Sequence, residues 1–148
     1  MTEAASHIDT QIPHILKAAR TIAMVGASPK TERPSHQVMA FLQSRGHRVI
    51  PVNPGVAGQS ILGEKVYASL SEIPDTFQMV DIFRNSEAAG AVVEEALPLA
   101  KEKGLETIWM QLDIRHEEAA EKARSAGLTV VMDRCPKIEY GRFQSKLS

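Results

Sequence analysis

The sequence predicts an α/β protein with three layers, in which helices cover both faces of a mostly parallel sheet of about five strands. Short apolar segments alternate along the chain with longer segments of helical periodicity, the pattern of repeated strand–helix units. The first apolar segment, residues 21–25, has no charge and no polar alternation, as expected of a strand buried on both faces. The chain has 148 residues, of which 43% are hydrophobic, so we expect residues 1–148 to form a single domain.

The bounds of each element follow from its apolar spacing and from the glycine, proline or capping residues at its ends. The predicted helices cover residues 10–20, 34–45, 86–103 and 117–126, and the predicted strands cover residues 21–25, 48–52, 77–83, 107–111 and 128–132. Periodicity is weak over residues 55–76. We expect a connection there, with a short strand near residues 66–67 and a helical turn near residues 71–73.

Prolines refine three of these elements. Pro13 falls within the first turn of the first predicted helix, after Thr10 as its cap, where proline is tolerated. Pro51 lies in the second predicted strand and has no N–H to donate, so we place it near the carboxyl end of that strand. Pro98 interrupts a helical pattern and therefore predicts a kink.

Composition narrows the classes of function. The formal net charge of −1 provides no basic surface for nucleic acid or an anionic membrane. No apolar run approaches the ~20 residues of a membrane helix. The only cysteine, Cys135, excludes an intramolecular disulfide and indicates the cytoplasm. The five histidines are dispersed, so no metal site is predicted.

The first strand leads into a segment that resembles a phosphate cradle. Gly26 ends the strand and allows a sharp turn, or a close approach of the backbone to a ligand. Pro34 and Ser35 mark the start of the next helix, whose N–H groups and dipole point at the turn. A simple strand-to-helix turn would explain the same residues. This strand–loop–helix unit favours a Rossmann-like arrangement over a flavodoxin-like one.

Ligands of parallel sheets bind at the carboxyl ends of the strands, so residues that follow the strands are the candidate contacts. They combine cations, small residues and one aromatic ring, which suits an elongated anion with apolar sections. The candidates are Gly26, Ala27, Ser28 and Lys30 after the first strand, Asn53 and Pro54 after the second, Phe83 and Arg84 after the third, Gln111 and Asp113 after the fourth, and Asp133, Arg134, Cys135, Pro136 and Lys137 after the fifth.

The nucleotide fingerprints are incomplete. Of G-x-G-x-x-G, only the first glycine, Gly26, is present, and the second glycine of a P-loop is also missing. The second strand is followed by Asn53, whereas a carboxylate would hold the ribose diol of NAD. These departures disfavour both NAD binding and nucleoside triphosphate hydrolysis.

Three segments together resemble the small stand-alone CoA-binding proteins, a family similar in fold to the CoA-binding domain of the succinyl-CoA synthetase alpha subunit. They are residues 25–30 with 33–35 (VGASPK and RPS), 51–54 (PVNP) and 132–139 (MDRCPKIE). The resemblance implies a Rossmann-like domain whose ligand is coenzyme A. With the strand ends, it gives as cofactor-binding residues Gly26, Ala27, Ser28, Lys30, Arg33, Ser35, Asn53, Pro54, Phe83, Arg84, Gln111, Cys135 and Pro136.

The expected function is that of a cytoplasmic protein that binds CoA or acyl-CoA, with no catalytic residue assigned. Family members of this size lack the second domain and the partner subunit of the synthetase, so ligase activity is not carried over. A component of a CoA-dependent acyl-transfer enzyme is one alternative, and a nicotinamide oxidoreductase with an eroded fingerprint is another. A homo-oligomer is compatible with the sequence.

Several candidates have a structural alternative. Arg84 either faces the ligand or pairs with Glu87, and Phe83 either stacks on the ligand or packs in the core. Trp109 is expected in the core.

Cys135 is either a buried structural thiol or a reactive one, kept as a thiolate by Arg134 and Lys137. In the second case it would form a mixed disulfide with CoA under oxidation. Asp81, Asp113 and Asp133 are expected to be capping or loop groups rather than catalytic acids.

Overall fold

The computed structural model describes the backbone of residues 3–147 and the side chains of residues 8–147. Helices and strands alternate along most of the chain, as the sequence predicts. The helices are α1 (Glu3–Ala18), α2 (Pro34–Ser44), α3 (Ser86–Ala96), α4 (Ala100–Lys103), α5 (Glu117–Ser125), α6 (Pro136–Arg142) and α7 (Gln144–Leu147). The strands are β1 (Thr21–Val25), β2 (Arg48–Val52), β3 (Ser60–Ile61), β4 (Glu64–Lys65), β5 (Met79–Ile82), β6 (Thr107–Met110) and β7 (Thr129–Val131).

The main sheet has five parallel strands in the order β2-β1-β5-β6-β7, while β3 and β4 form a separate antiparallel hairpin. Beyond β2, a single parallel bridge joins Val52 to Tyr67. The backbone N–H of Asn53 donates to the carbonyl of Tyr67 at 2.9 Å. Tyr67 therefore occupies the place of a third strand, and with it the order becomes that of the doubly wound Rossmann fold. The predicted fold class is confirmed.

Side chains from alternate positions of β1 enter two different cores. Ala23 and Val25 pack with α3 and α5, whereas Ile22 and Met24 pack with α1, α2 and α6 on the opposite face. These four residues are all buried. The prediction of a strand buried on both faces is thus confirmed.

Pro51 lies within β2 without disturbing its pairing to β1. The N–H of Gly26 donates to the carbonyl of Val52 at 2.9 Å, so the backbone polar groups of Val52 point toward β1. Those of its neighbour Pro51 therefore point toward the outer edge of the sheet. The carbonyl of Pro51 accepts there from the N–H of Tyr67 at 3.0 Å. The missing N–H of Pro51 therefore lies on the side where no neighbouring strand of the main sheet needs it.

The first helix is longer than predicted. Thr10 lies inside α1 and does not cap it, and Pro13 lies inside the helix rather than in its first turn. A contact distant in sequence favours the extension, because Arg134 Nη1 donates to Asp9 Oδ1 at 2.8 Å. Local periodicity gives no sign of this ion pair.

The helical pattern after β5 breaks where Pro98 predicts a change. Asn85 caps α3, accepting a hydrogen bond from the N–H of Ala88 at 2.8 Å. A 3₁₀ turn over Leu97–Leu99 separates α3 from α4, and Gly104 ends α4 with a φ of 70°.

The β3–β4 hairpin, α6 and α7 were not predicted, since each is too short for a periodic pattern. No helix in the described part of the chain is long and apolar enough to cross a membrane.

Candidate functional site

Two adjoining cavities lie at the carboxyl ends of the strands. The first, of about 350 Å³, lies between the loop after β1, the start of α2 and the end of β2. The second, of about 480 Å³, lies between α2 and the residues that follow β5, β6 and β7. Pro34 and Phe83 line both of them, so the cavities form one elongated cleft. Each has the size of an ordinary small-molecule site.

The fold itself, independently of any ligand, requires a glycine at position 26. Its φ is +90°, and a Cβ there would lie 2.4 Å from the carbonyl oxygen of Phe83. The N–H of Phe83 donates to the carbonyl of Val25 at 2.8 Å, which holds the end of β5 against this turn. The sequence predicts the sharp turn correctly, but the backbone that comes close to Gly26 is that of Phe83.

The start of α2 presents hydrogen-bond donors and positive charge to the first cavity. Arg33 is the N-cap residue, Pro34 follows it, and the first turn of α2 contains no acidic residue. Ser35 is 5% exposed and lines the cavity, and its hydroxyl has no hydrogen-bond partner among the described residues. Lys30 and Arg33 are exposed at the rim. A helix N-terminus with two cations and an unpaired hydroxyl is suited to an anion such as a phosphate.

Asn53 lines the first cavity, but both ends of its amide are used within the protein. Its Nδ2 donates to the carbonyl of Ala27 at 2.8 Å, and its Oδ1 accepts from the N–H of Gly55 at 2.8 Å. Asn53 therefore ties the loop after β1 to the end of β2. It contributes to the site by positioning this loop.

The second cavity has a mainly apolar wall. Val38, Phe83, Leu112, Ile114 and Cys135 contribute apolar surface. Cys135 is 7% exposed and a free thiol. Mostly apolar walls with a few placed polar groups are typical of ligand sites.

Two polar side chains lie at the cavity floor and rim. Gln111 is 6% exposed, and Arg84 is exposed and forms no ion pair with Glu87 among the described residues. The position of Arg84 at the cavity favours its interpretation as a ligand-facing cation.

Asp81 lies beneath Gln111 and is fully buried in the central strand β5. With its amide nitrogen toward this carboxyl group, Gln111 donates to Asp81 Oδ1 at 2.9 Å and to Oδ2 at 3.3 Å. Burial raises the pKa of Asp81 well above its ordinary value of 3.8. The side chains of Met24 and Trp109 flank it in the sheet register. Asp81 is thus a buried acid whose hydrogen-bond partner lines the second cavity.

The cations expected beside Cys135 are engaged elsewhere. Arg134 Nη1 donates to Asp9 Oδ1 at 2.8 Å and to Glu139 Oε1 at 3.1 Å. Lys137 Nζ lies 5.9 Å from the ring centroid of Phe41. The hypothesis that these two cations activate the thiol is therefore not supported by their positions.

Trp109 lies in the core, as predicted. It is fully buried, and its Nε1 donates to the carbonyl of Arg134 at 2.8 Å. This bond satisfies the indole N–H within the protein, as is usual for a buried Trp.

Asp113 and Asp133 shape the loops beside the second cavity. The N–H of Asp113 donates to Asp133 Oδ1 at 2.7 Å, and both residues have positive φ, of 67° and 60°. Asp133 Oδ2 also lies 3.8 Å from Arg115 Nε. These contacts agree with the expectation that both aspartates are loop groups. Among the described residues, no group of three or more His, Cys, Asp or Glu side chains could hold a metal ion.

Most of the predicted contact residues line the cleft. In the first cavity these are Gly26, Ala27, Ser28, Lys30, Arg33, Ser35, Asn53 and Phe83, and in the second they are Phe83, Arg84, Gln111 and Cys135. Pro54 and Pro136 line neither cavity. Pro54 begins a 3₁₀ turn and Pro136 begins α6, which gives each a local structural role.

Sequence reasoning omitted several lining residues. They are Pro34, Val38, Asn85, Leu112 and Ile114, whereas Asp113, which also lines the second cavity, is among the predicted strand-end contacts. The available signal was their position, since Asn85, Leu112 and Ile114 follow a strand end closely and Pro34 and Val38 lie in the first two turns of α2.

This chain is similar in sequence and structure to known proteins over nearly its whole length. A family model described as a CoA binding domain matches residues 20–141. YneT, an uncharacterised protein of Bacillus subtilis (strain 168), is 37% identical over 130 residues, which cover 88% of this chain and 92% of that protein. The structure of a hypothetical protein from Pyrococcus horikoshii OT3 has 39% identity and a TM-score of 0.83, with 92% of both chains covered. A structure from Thermus thermophilus has 36% identity and a TM-score of 0.83, covering 90% of this chain and 97% of that one.

Proposed function

The chain belongs to the family of CoA-binding domains, and on that premise we propose that it binds coenzyme A, or an acyl thioester of it, in the cleft formed by the two cavities. The nucleotide phosphates lie in the first cavity, and the pantetheine arm passes Phe83 into the second. The cytoplasm is the compartment we propose, since the only cysteine is a free thiol.

The observation that carries this proposal is the start of α2. Ser35 offers a hydroxyl that lines this cavity and has no hydrogen-bond partner in the part of the chain that the structure describes, and Lys30 and Arg33 add two positive charges at the same cavity. Phosphate groups gain charge-assisted hydrogen bonds from such a set. Coenzyme A, with a diphosphate and a 3′-phosphate, supplies several anionic groups for it.

Asn53 favours CoA over NAD. A carboxylate in its place would accept hydrogen bonds from the free ribose diol of a dinucleotide. The same carboxylate would repel the 3′-phosphate of coenzyme A, because like charges at such a distance are strongly unfavourable. The neutral amide of Asn53 avoids that repulsion.

Calorimetric titration with CoA, acetyl-CoA, dephospho-CoA, NAD and ATP tests the proposal. We expect CoA to bind at least ~10-fold more tightly than NAD, which corresponds to about 1.4 kcal/mol. Dephospho-CoA should bind with intermediate affinity if the 3′-phosphate is contacted. Equal affinities for NAD and CoA would overturn the proposal.

No observation favours a catalytic function strongly enough to propose one. The residues that line the two cavities, within the described part of the chain, include no histidine beside Cys135 that would act as its base. The absence of an acid at Asn53 also weighs against the nicotinamide oxidoreductase. Ligand binding is therefore the function that the geometry supports best.

A further inference from the structure

Leu112 lies exposed at the rim of the second cavity. The residue is 48% exposed, whereas Val38 and Cys135, which contribute apolar surface to the same cavity, are buried. A single exposed leucine is common in proteins and by itself indicates no ligand. Leu112 differs from such a residue because it lines a cavity and because the surrounding loop holds it there.

The loop after β6 forms a tight turn over residues 111–114. The N–H of Ile114 donates to the carbonyl of Gln111 at 2.9 Å, which closes the turn. Asp113, in the third position, has a φ of 67°, a conformation for which glycine or asparagine is usual. Leu112 occupies the second position, at the tip of the turn.

Two hydrogen bonds from distant parts of the chain hold this turn in place. The N–H of Asp113 donates to Asp133 Oδ1 at 2.7 Å, and the N–H of Arg115 donates to Ser86 Oγ at 3.0 Å. The turn is thereby fixed to the end of β7 and to the start of α3. Unfavourable backbone that the surrounding structure maintains is concentrated at functional sites. The strained turn keeps Leu112 at the cavity instead of in the core.

The polar residues that line the second cavity favour an uncharged occupant. Arg84 and Asp113 carry opposite charges, so an anionic group would be attracted by one and repelled by the other. Gln111 is hydrogen-bonded to Asp81, and Asn85 caps α3 through its Oδ1. An apolar group gains free energy at the remaining wall simply by leaving water.

The second cavity is also the larger of the two, at about 480 Å³ against about 350 Å³ for the first. The pantetheine arm, however, is a thin chain, and the nucleotide is the bulkier half of coenzyme A. The arm ends in the thiol to which an acyl group is joined. An acyl group would therefore occupy space in the second cavity that the arm leaves free.

We propose that the second cavity selects acyl thioesters whose acyl group is uncharged and apolar, and that this group packs against Leu112. The inference rests on the proposed binding of coenzyme A and deepens it by naming the class of thioester. Contact with the acyl group removes exposed apolar surface of Leu112 from water, which stabilises the complex. Free CoA leaves that surface exposed.

The test compares thioesters of the same nucleotide. Calorimetry measures the affinity of the wild-type chain for CoA, hexanoyl-CoA and succinyl-CoA. Hexanoyl-CoA should bind roughly 10-fold more tightly than CoA, as expected from the burial of about two methylene groups. Succinyl-CoA, whose acyl group ends in a carboxylate, should bind no more tightly than CoA, because Asp113 opposes the attraction of Arg84.

Leu112→Ser tests the contact itself. The advantage of hexanoyl-CoA over CoA should fall to about 3-fold or less, since a small polar side chain replaces the apolar one. Leu62→Ser is the matched control, because Leu62 is likewise exposed, has a φ of 49° and lies outside both cavities. It should keep the full advantage. Thermal melts identify a variant that fails to fold, and the wild-type series then decides alone.

The outcomes distinguish this inference from the proposed function. If the wild-type chain binds none of the three ligands, the proposed function fails and the inference falls with it. If CoA binds but hexanoyl-CoA binds no more tightly, or succinyl-CoA binds most tightly, the preference for apolar acyl groups is overturned while CoA binding stands. If Leu112→Ser keeps the advantage of hexanoyl-CoA, the role of Leu112 is overturned.

Discussion

The carbonyl oxygen of Phe83 lies 2.4 Å from the position that a Cβ on Gly26 would occupy. This contact joins the ends of β1 and β5, the two strands between which the direction of strand order reverses. The floor of the ligand cleft is therefore formed by two backbones in direct apposition.

Gly26→Ala should destabilise the protein by about 2–5 kcal/mol, from the strained φ and the backbone clash together. Chemical denaturation measures this loss. Gly127→Ala is the matched control, because Gly127 has a φ of 92° but no atom within 4 Å of the added Cβ. The control should show only the cost of the left-handed conformation, and equal losses for both variants would mean that the Phe83 contact is unimportant.

Lys30→Ala should weaken CoA binding roughly 10-fold, near the lower limit for a charge-assisted hydrogen bond, because Lys30 is exposed. Calorimetry at two salt concentrations should show that the difference shrinks at high salt, as expected for an exposed charge. Lys101→Ala removes an exposed lysine outside both cavities and should leave the affinity unchanged. An unchanged affinity of Lys30→Ala would exclude Lys30 from the site.

Asn53→Asp should weaken CoA binding at least ~10-fold and lower stability by about 1–3 kcal/mol. The substitution replaces the Nδ2 donor to the carbonyl of Ala27 by an oxygen, so two acceptors would face each other and displace the loop. It also adds a negative charge beside the phosphates and should narrow the gap in affinity between CoA and NAD. Calorimetry and urea unfolding measure the two effects.

Asn85→Asp is the control for stability in that experiment. Asn85 accepts a hydrogen bond from Ala88 as the cap of α3, a role that Asp fills equally well. Its free energy of unfolding should therefore match that of the wild type. A stable Asn53→Asp variant with wild-type affinity would contradict the positioning role of Asn53.

The free energy of unfolding should fall between pH 7.5 and pH 5.5, in part because of His47. The contribution of His47 should be a fraction of the total free energy of unfolding. Its Nδ1 donates to the carbonyl of Ala19 and its Nε2 accepts from the hydroxyl of Tyr140, each at 2.5 Å. Burial is the largest cause that lowers the pKa of His47 from its ordinary value of 6.5.

The sign follows from the order in which the two states take up a proton. At pH 7.5 and above, His47 is largely neutral in both the folded and the unfolded chain, whose ordinary histidine pKa is 6.5. As the pH falls below that value the unfolded chain is protonated first, so the free energy of unfolding decreases until the pH passes the lowered pKa. Urea unfolding of His47→Gln should show a smaller pH dependence than the wild type. His14→Gln, which changes an exposed histidine, should retain the wild-type slope.

The strand–helix framework and much of the cleft were predictable because they depend on local signals. A few neighbouring residues are enough to indicate the apolar run of β1, the cap Asn85 and the break at Pro98. Collecting strand ends then brought Gly26, Asn53, Phe83 and Gln111 to one cleft, because parallel strands end at the same edge.

The partners of these residues were not predictable, because they come from distant parts of the chain. Gly26 meets Phe83, Asn53 bonds to Ala27, and Arg134 pairs with Asp9 instead of activating Cys135. Periodicity and spacing carry no information about which side chains meet across the sheet. The same limit explains why Asp81 was interpreted as a capping or loop group, although it supports Gln111.

The outer edge of β2 also affects how this molecule meets other chains. An exposed edge strand is a template on which another chain can add a strand. Here Pro51 offers no N–H at that edge, and its carbonyl is already taken by Tyr67. Arg48, at the start of the strand, is held by ion pairs to Glu64 and Asp75. Edge-to-edge aggregation through β2 is therefore disfavoured, so the chain protects this side of its sheet without covering it with a complete sixth strand.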